Sequence, residues 1–288
     1  MENKHEIKVI DSLLPPEMAR AAEEIGMAKA SMGIRKTTML AILAGTFIAF
    51  GAVFSTLVST GSTMSYGVTK LLSGLAFSLG LILVVVGGAE LFTGNNLLTM
   101  AWASRKVSTR QILQNWMIVY LGNMLGAFSI VLMIWLSGHY LFGDGIIGAN
   151  ILKIAAVKCE LGFIQAVVLG ILCNILVCLA IWLCYSTKST HGKILAIVFP
   201  ITAFVAAGFE HSVANMYFIP MGLFVKEWAD PSLWTNVPEI SQHIESLTWG
   251  TYLTRNLIPV TIGNILGGAG FVGITYWLIY SSKWSSNN

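Results

Sequence analysis

The chain has 288 residues, 55% of them hydrophobic and 11% charged, with a formal net charge of +3 at pH 7 and a mean hydropathy of +0.73. Soluble globular domains carry about 25% charged residues, so this composition excludes a soluble enzyme or binding domain. The small, dispersed positive charge leaves no footprint for nucleic acid. What remains is a polytopic membrane protein.

In chain order, residues 1–36 form a charged leader. Pro15 and Pro16 followed by Glu17 mark a helix start, and Met18, Ala22, Ile25 and Met32 make a modest apolar stripe. This helix is expected to lie along the membrane face or over a pore mouth. Apolar runs then fall at about 37–61, 69–103, 110–137, 158–185, 193–225 and 254–281, each long enough for the roughly 20 residues that cross a bilayer as helix. Six spans follow, in a channel domain of residues 37–283 with a short tail at 284–288. The first run begins too late, and with no small-residue cleavage site behind it, to be a removable signal peptide. Between runs five and six, Lys226 to Gly250 carries Trp228, Trp234 and Trp249 with four acids, which reads as an interfacial loop.

Most of the basic residues precede span one or lie between spans two and three, between spans four and five, or at the C-terminus. Only Lys70, Lys153, Lys158, Lys226 and Arg255 fall elsewhere. The positive-inside rule then puts both termini in the cytoplasm, which agrees with an even number of spans. All four cysteines, Cys159, Cys173, Cys178 and Cys184, sit in run four with no Cys-x-x-Cys pair and no histidine at ligand spacing. They read as small packing residues, and no metal or cofactor is called for.

Two patterns recur. Gly88-x-Glu90-x4-Asn95 returns 120 residues later as Gly208-x-Glu210-x4-Asn215. At an offset of 141, Asn115-x3-Val119-x2-Gly122-Asn123-x-Leu125-Gly126 returns as Asn256-x3-Val260-x2-Gly263-Asn264-x-Leu266-Gly267. Spans one to three and four to six are therefore duplicated units. Three crossings is an odd number, so the second unit enters from the opposite face, an inverted repeat whose substrate site falls near mid-bilayer.

Polar, glycine-bearing interruptions at matching places predict helix breaks near 87–96 and 207–215. Each break presents a half-helix N-terminus that favours an anion. The paired glycines Gly122/Gly126 and Gly263/Gly267 read as close helix packing, and Asn123 and Asn264 as clamps on neighbouring helices or on the broken backbone. Glu90 and Glu210 read as braces of the breaks, with Asn95 and Asn215 beside them, because a bare carboxylate repels an anion. His211 is the one histidine inside a predicted span, since His5, His139, His191 and His243 lie in the leader or loops. An ionisable group at that depth is costly and marks function, and an imidazole with an unperturbed pKa of about 6.5 changes charge near neutrality. Thr93 offers a hydroxyl opposite it across the pseudo-two-fold. Asn174, in mid-span four, is hard to leave unpaired in lipid.

Val85–Gly94 (VVGGAELFTG), Gly170–Ala180 (GILCNILVCLA) and Gly208–Asn215 (GFEHSVAN) resemble, in order, the three signature stretches of the formate/nitrite transporter family. The resemblance covers nearly the whole chain. It implies an aquaporin-like protomer of six helices in a homopentamer, each protomer with its own pore. It also implies that Thr93 lines the pore near His211, that Lys158 is a vestibule lysine on the outer side, that Asn174 is a pore-side amide, and that Phe77, Leu81, Leu91, Val177 and Phe204 form the constrictions. Gly94-Asn95-Asn96 and Lys158-Cys-Glu160 depart from the formate-leaning pattern, so the anion stays open between formate first and nitrite second.

The expectation is a membrane channel for small weak-acid anions, proton-linked through His211. Hydrosulfide or short-chain carboxylates on the same scaffold are the nearest alternatives. A neutral-solute channel of the aquaporin kind calls for Asn-Pro-Ala at both breaks, and neither has it. An enzyme calls for a nucleophile motif or paired intramembrane histidines, and none is found.

Overall fold

The computed structural model describes residues 12–238 and 244–281. His5, His243 and the tail at 284–288 lie outside these. Helices α1 (Pro15–Ala30) and α2 (Ile34–Ser59) lead into α3 (Tyr66–Gly87), which continues through a break and a 3-10 turn (Gly94–Leu97) into α4 (Leu98–Ala103). Then come α5 (Thr109–Leu136), α6 (Ile146–Cys159), α7 (Phe163–Tyr185), α8 (Thr190–Ala206), α9 (Ser212–Trp228) and α10 (Pro231–Asn236). The last span, Trp249–Tyr280, is one continuous helical run with π segments at Tyr252–Leu257 and Leu266–Ile274. Five helices are long and apolar enough to cross a bilayer, and α8 with α9 supplies the fifth of six crossings.

Both predicted breaks are present. Gly88 ends α3 at φ +78° and Gly208 follows α8 at φ +75°, a left-handed conformation that glycine adopts without a Cβ clash. Unwound backbone at depth needs partners, and two asparagines from the duplicated motif provide them. Asn123 Oδ1 accepts from Phe92 N at 2.9 Å while its Nδ2 donates to the carbonyls of Ala41 and Glu90 at 2.8 and 2.9 Å. Asn264 does the same 141 residues on, accepting from Ser212 N at 2.9 Å and donating to Gly170 and Glu210 carbonyls at 2.8 and 3.0 Å. The glycines beside them allow the approach: a Cβ on Gly126 would land on the Ile42 carbonyl of α2, and one on Gly267 on the Ile171 carbonyl of α7.

The repeat is longer than its polar motifs. Backbone N–H groups of Glu90 and Glu210 donate to Leu40 and Leu169, and the side chains of Asn115 and Asn256 donate to the carbonyls of Lys29 and Lys158. Each second-half acceptor here lies 129 residues after its mate. Helix α1 is therefore the counterpart of α6, and each unit is one short helix plus three crossings. Because three crossings separate them, α1 lies on the side of the molecule that carries the termini and α6 on the far side, as an inverted repeat requires. This corrects the reading of run four: Lys158 sits in the last turn of α6, and the crossing starts at Phe163 after a break at 160–162.

Helix α1 packs onto the helical bundle. Met18, Ala19 and Ala22 pack against Met100 and Trp182. Glu23, 4% exposed, pairs with Lys106 and accepts from Ser104 Oγ at 2.7 Å, which in turn accepts from Trp277 Nε1 at 2.8 Å. Burial pushes the Glu23 carboxyl up, but the hydrogen bonds of Lys106, Ser104 and Ser281 and the Lys106 charge outweigh it and hold the group below its ordinary 4.5. A depressed folded-state pKa gives stability that is present above the unfolded value and is lost as pH falls through the folded one. Amide exchange in α1, corrected for intrinsic rate, is therefore expected to quicken below about pH 4.5, and Glu23→Gln is expected to show that loosening at pH 7.

Candidate functional site

Two cavities enter the chain from opposite sides. The one on the terminal side, about 240 Å³, is lined by α1 through Ile25 and Lys29 and by Leu91, Tyr185 and Lys193. The far one, about 390 Å³, is lined by Lys70, Lys153, Lys158, Phe77, Phe204 and His211 among others. The first break lines the terminal-side cavity through Gly88, Glu90 and Leu91, and the second lines the far one through Gly208, Glu210 and His211.

His211 is the N-cap of α9. Its Nδ1 accepts from the backbone N–H of Ala214 at 3.0 Å, which leaves the lone pair of Nδ1 committed. In the neutral ring the proton then sits on Nε2. Nε2 lies 3.0 Å from Thr93 Oγ1, so the imidazole donates and the hydroxyl proton of Thr93 is left to point onward. Thr93 is wholly buried and His211 is 3% exposed. Phe204 stacks on the imidazole with centroids 5.9 Å apart and meets Phe77 edge-on at 5.7 Å, so an aromatic wall stands beside His211 in the lining of the far cavity. Leu91, the repeat mate of His211, faces the terminal-side cavity.

Glu90 and Glu210 make matching buried networks. Glu210 Oε1 is 2.7 Å from Lys158 Nζ, and Oε2 accepts from Asn215 at 2.6 Å and Asn256 at 3.0 Å. Glu90 Oε1 is 3.0 Å from Lys29 Nζ, and Oε2 accepts from Asn95 at 2.7 Å. In both halves the asparagine also donates to its partner amide, Asn95 to Asn115 and Asn215 to Asn256. The acids tie the short helices α1 and α6 to the breaks, and Lys158 both lines the far cavity and is paired with Glu210. Lys29 was not singled out by sequence; the one signal was Lys29-x3-Gly33 repeated as Lys158-x3-Gly162.

The other expected pore residues divide. Phe77, Phe204 and Leu91 line the cavities. Leu81 and Val177, each 1% exposed, lie in the core and line neither. Asn174 also lines neither: its Nδ2 donates to the carbonyls of Asn264 and Thr93 at 2.6 and 3.3 Å, so it holds the backbone that carries the Thr93 hydroxyl. The half-helix termini are unequal. Helix α9 has 17 residues, whereas the first break opens into a 3-10 turn and only six residues of α4, so the dipole expected at both breaks belongs chiefly to α9. Among the described residues, no group of histidine, cysteine, aspartate and glutamate side chains could hold a metal ion.

The sequence pattern described as formate/nitrite transporter matches residues 16–278. The chain is 49% identical over 271 residues to a protein named formate channel FocA from Escherichia coli K12, covering 94% of this chain and 95% of that one. It is 41% identical to the Haemophilus influenzae protein of the same name, covering 91% and 93%. Among solved structures it is similar to one titled "Pentameric formate channel with formate bound", at 45% identity and a TM-score of 0.82 over 86% of this chain and 98% of that one. A second, titled "FNT family ion channel", has 28% identity and a TM-score of 0.76 over 91% and 98%. With a family match along nearly its whole length and relatives of almost the same extent, this multi-pass membrane protein belongs to the formate/nitrite transporter family.

Proposed function

We propose that this protein conducts formate, and nitrite second, across the cytoplasmic membrane as a homopentamer with both termini inside. The observation that carries this reading is the buried Thr93–His211 pair, joined by one hydrogen bond of 3.0 Å that leaves the Thr93 hydroxyl proton for an anion. The names of the relatives and the solved neighbours support formate and the pentamer, and the loop lysines support the orientation.

An anion entering from either cavity leaves water at the aromatic wall or at Leu91. Moving a bare ion into a low-dielectric region costs on the order of tens of kcal/mol by Born estimates, less after relaxation. Thr93 Oγ–H, freed to face the anion because Oγ1 accepts from His211 Nε2–H, replaces part of the lost hydration. Protonation of His211 makes a neutral pair with the anion and removes most of the remaining penalty. That second proton lands on Nδ1, the atom that caps α9, so charging the ring breaks the bond from Ala214. An N-cap is worth about 0.5–2 kcal/mol, and this pull returns the ring to its neutral tautomer when the anion leaves.

The test is uptake of labelled formate and labelled nitrite into proteoliposomes of the wild-type protein, alone and in competition. Saturable formate flux that exceeds nitrite flux at equal concentration is expected. Nitrite flux that exceeds it, or flux only of hydrosulfide or larger carboxylates, overturns the order of substrates.

A further inference from the structure

The first break carries Thr93 into a 3-10 turn and only six residues of helix, whereas His211 caps a helix of 17. The position of Thr93 therefore depends on the side chains around it, and α5 supplies three of them. Asn123 accepts from the backbone N–H of Phe92, Trp116 Nε1 donates to the Asn95 carbonyl at 3.0 Å, and the Phe92 ring meets Trp116 and Tyr120 edge-on at centroid distances of 6.2 and 4.8 Å. The second half has no such wedge. At the offsets of the duplicated motifs the mates of Phe92, Trp116 and Tyr120 are Ser212, Leu257 and Thr261, and the wholly buried Ser212 hydroxyl has no hydrogen-bond partner among the described residues.

Tyr120 reaches across to its own mate. Its hydroxyl lies 2.9 Å from Thr261 Oγ1, and the Thr261 hydroxyl donates its proton to the Leu257 carbonyl at 2.6 Å, so Tyr120 donates and Thr261 accepts. A bond between repeat mates spans the pseudo-two-fold axis. Thr261 precedes Asn264 by three residues, which puts both on one face of the last span, and Asn264 accepts from the N–H of Ser212, next to His211. One turn of the last span thus reaches both members of the pair: His211 through Asn264 and Ser212, Thr93 through Tyr120 and Phe92.

We propose that the Tyr120–Thr261 hydrogen bond is a strut between the two repeats that sets the separation of the Thr93 and His211 side chains, which makes Tyr120 and Thr261 positioning residues for conduction. The strut rests on the Thr93–His211 reading above. Loss of the bond lets Phe92 and Thr93 drift from His211, and a misplacement of about 1 Å in a positioned group can cost up to about a hundredfold in rate.

The experiment measures labelled formate uptake into proteoliposomes over a range of formate concentrations, per assembled channel isolated by size-exclusion chromatography. Wild type, Tyr120→Phe, Thr261→Val, the double variant, Thr261→Ser and Thr93→Val are compared. Tyr120→Phe keeps the ring beside Phe92 and Thr261→Val keeps the volume, so each removes the strut alone. Each is expected to lower the maximal flux about three- to tenfold, with the half-saturating concentration, set ahead of the constriction, moving less than about twofold. The double variant is expected to match the single ones, because both remove the same bond, and Thr261→Ser to conduct like wild type. Wild-type flux in either single variant, additive losses in the double, or an equal loss in Thr261→Ser and Thr261→Val overturns the strut while loss of flux in Thr93→Val upholds the site. Thr93→Val that conducts like wild type overturns the site reading and the strut with it. If wild type carries nitrite and no formate, the order of substrates fails, and the same pattern of losses is then required of nitrite.

Discussion

Lys158→Met is expected to destabilise the protein by about 3–5 kcal/mol, the cost of leaving a buried carboxylate without its counter-ion. The Lys158 and Glu210 side chains are 16% and 5% exposed, so little water reaches the orphaned acid. Lys158→Met/Glu210→Gln is expected to recover most of the loss, because glutamine still accepts from Asn215 and Asn256 and no charge remains. Thermal unfolding of the detergent-solubilised protein reads both. A lysine that served only to attract anions would behave differently: its removal would leave the melting temperature in place and raise the half-saturating anion concentration. By the same geometry Lys29→Met should be as damaging through Glu90, which would place the leader helix within the fold of the repeat.

The second large effect is at Asn264. Its side chain is wholly buried and satisfies the N–H of Ser212 and the carbonyls of Gly170 and Glu210 at once. Asn264→Ala leaves the Ser212 N–H and the Glu210 carbonyl without this partner, at about 1–3 kcal/mol each, and removes the second bond of the Gly170 carbonyl, which keeps its helical one. The variant is expected to fail to accumulate as a folded assembly. Asn264→Asp, which keeps the acceptor for Ser212 and loses the donors, is expected to be nearly as damaging. Recovery of well-folded Asn264→Ala at wild-type levels and melting temperature would show that the break is held by something else.

The breaks, the inverted repeat and His211 were legible in sequence because each carries residues that lipid penalises: glycine beside acid and amide, repeated at fixed offsets. The rest was hidden for identifiable reasons. The match of α1 to α6 rests on little more than a lysine and a glycine four residues on, since the remaining contacts are made by backbone carbonyls of Lys29 and Lys158. Run four began at Lys158 because the residues on either side of 160–162 are comparably apolar, and only the broken backbone separates α6 from α7. A mid-span amide at Asn174 needs partners, and sequence does not say that they are the Asn264 and Thr93 carbonyls. The tautomer of His211 follows from Ala214 N–H, a backbone group that is visible only once the start of α9 is located.

The proton linkage through His211 is tested most directly by formate uptake into proteoliposomes from pH 5 to 8, comparing wild type with His211→Asn. Asparagine is a preferred N-cap and keeps an acceptor for Ala214 N–H, so the start of α9 is retained while the titratable ring and its contact with Thr93 are lost. The expected result is a folded variant with reduced flux whose ratio to wild type changes with pH, the dependence attributable to the imidazole having gone. Reduced or unreduced flux that keeps the wild-type pH profile would contradict the account, leaving His211 as the cap of a half-helix and nothing more.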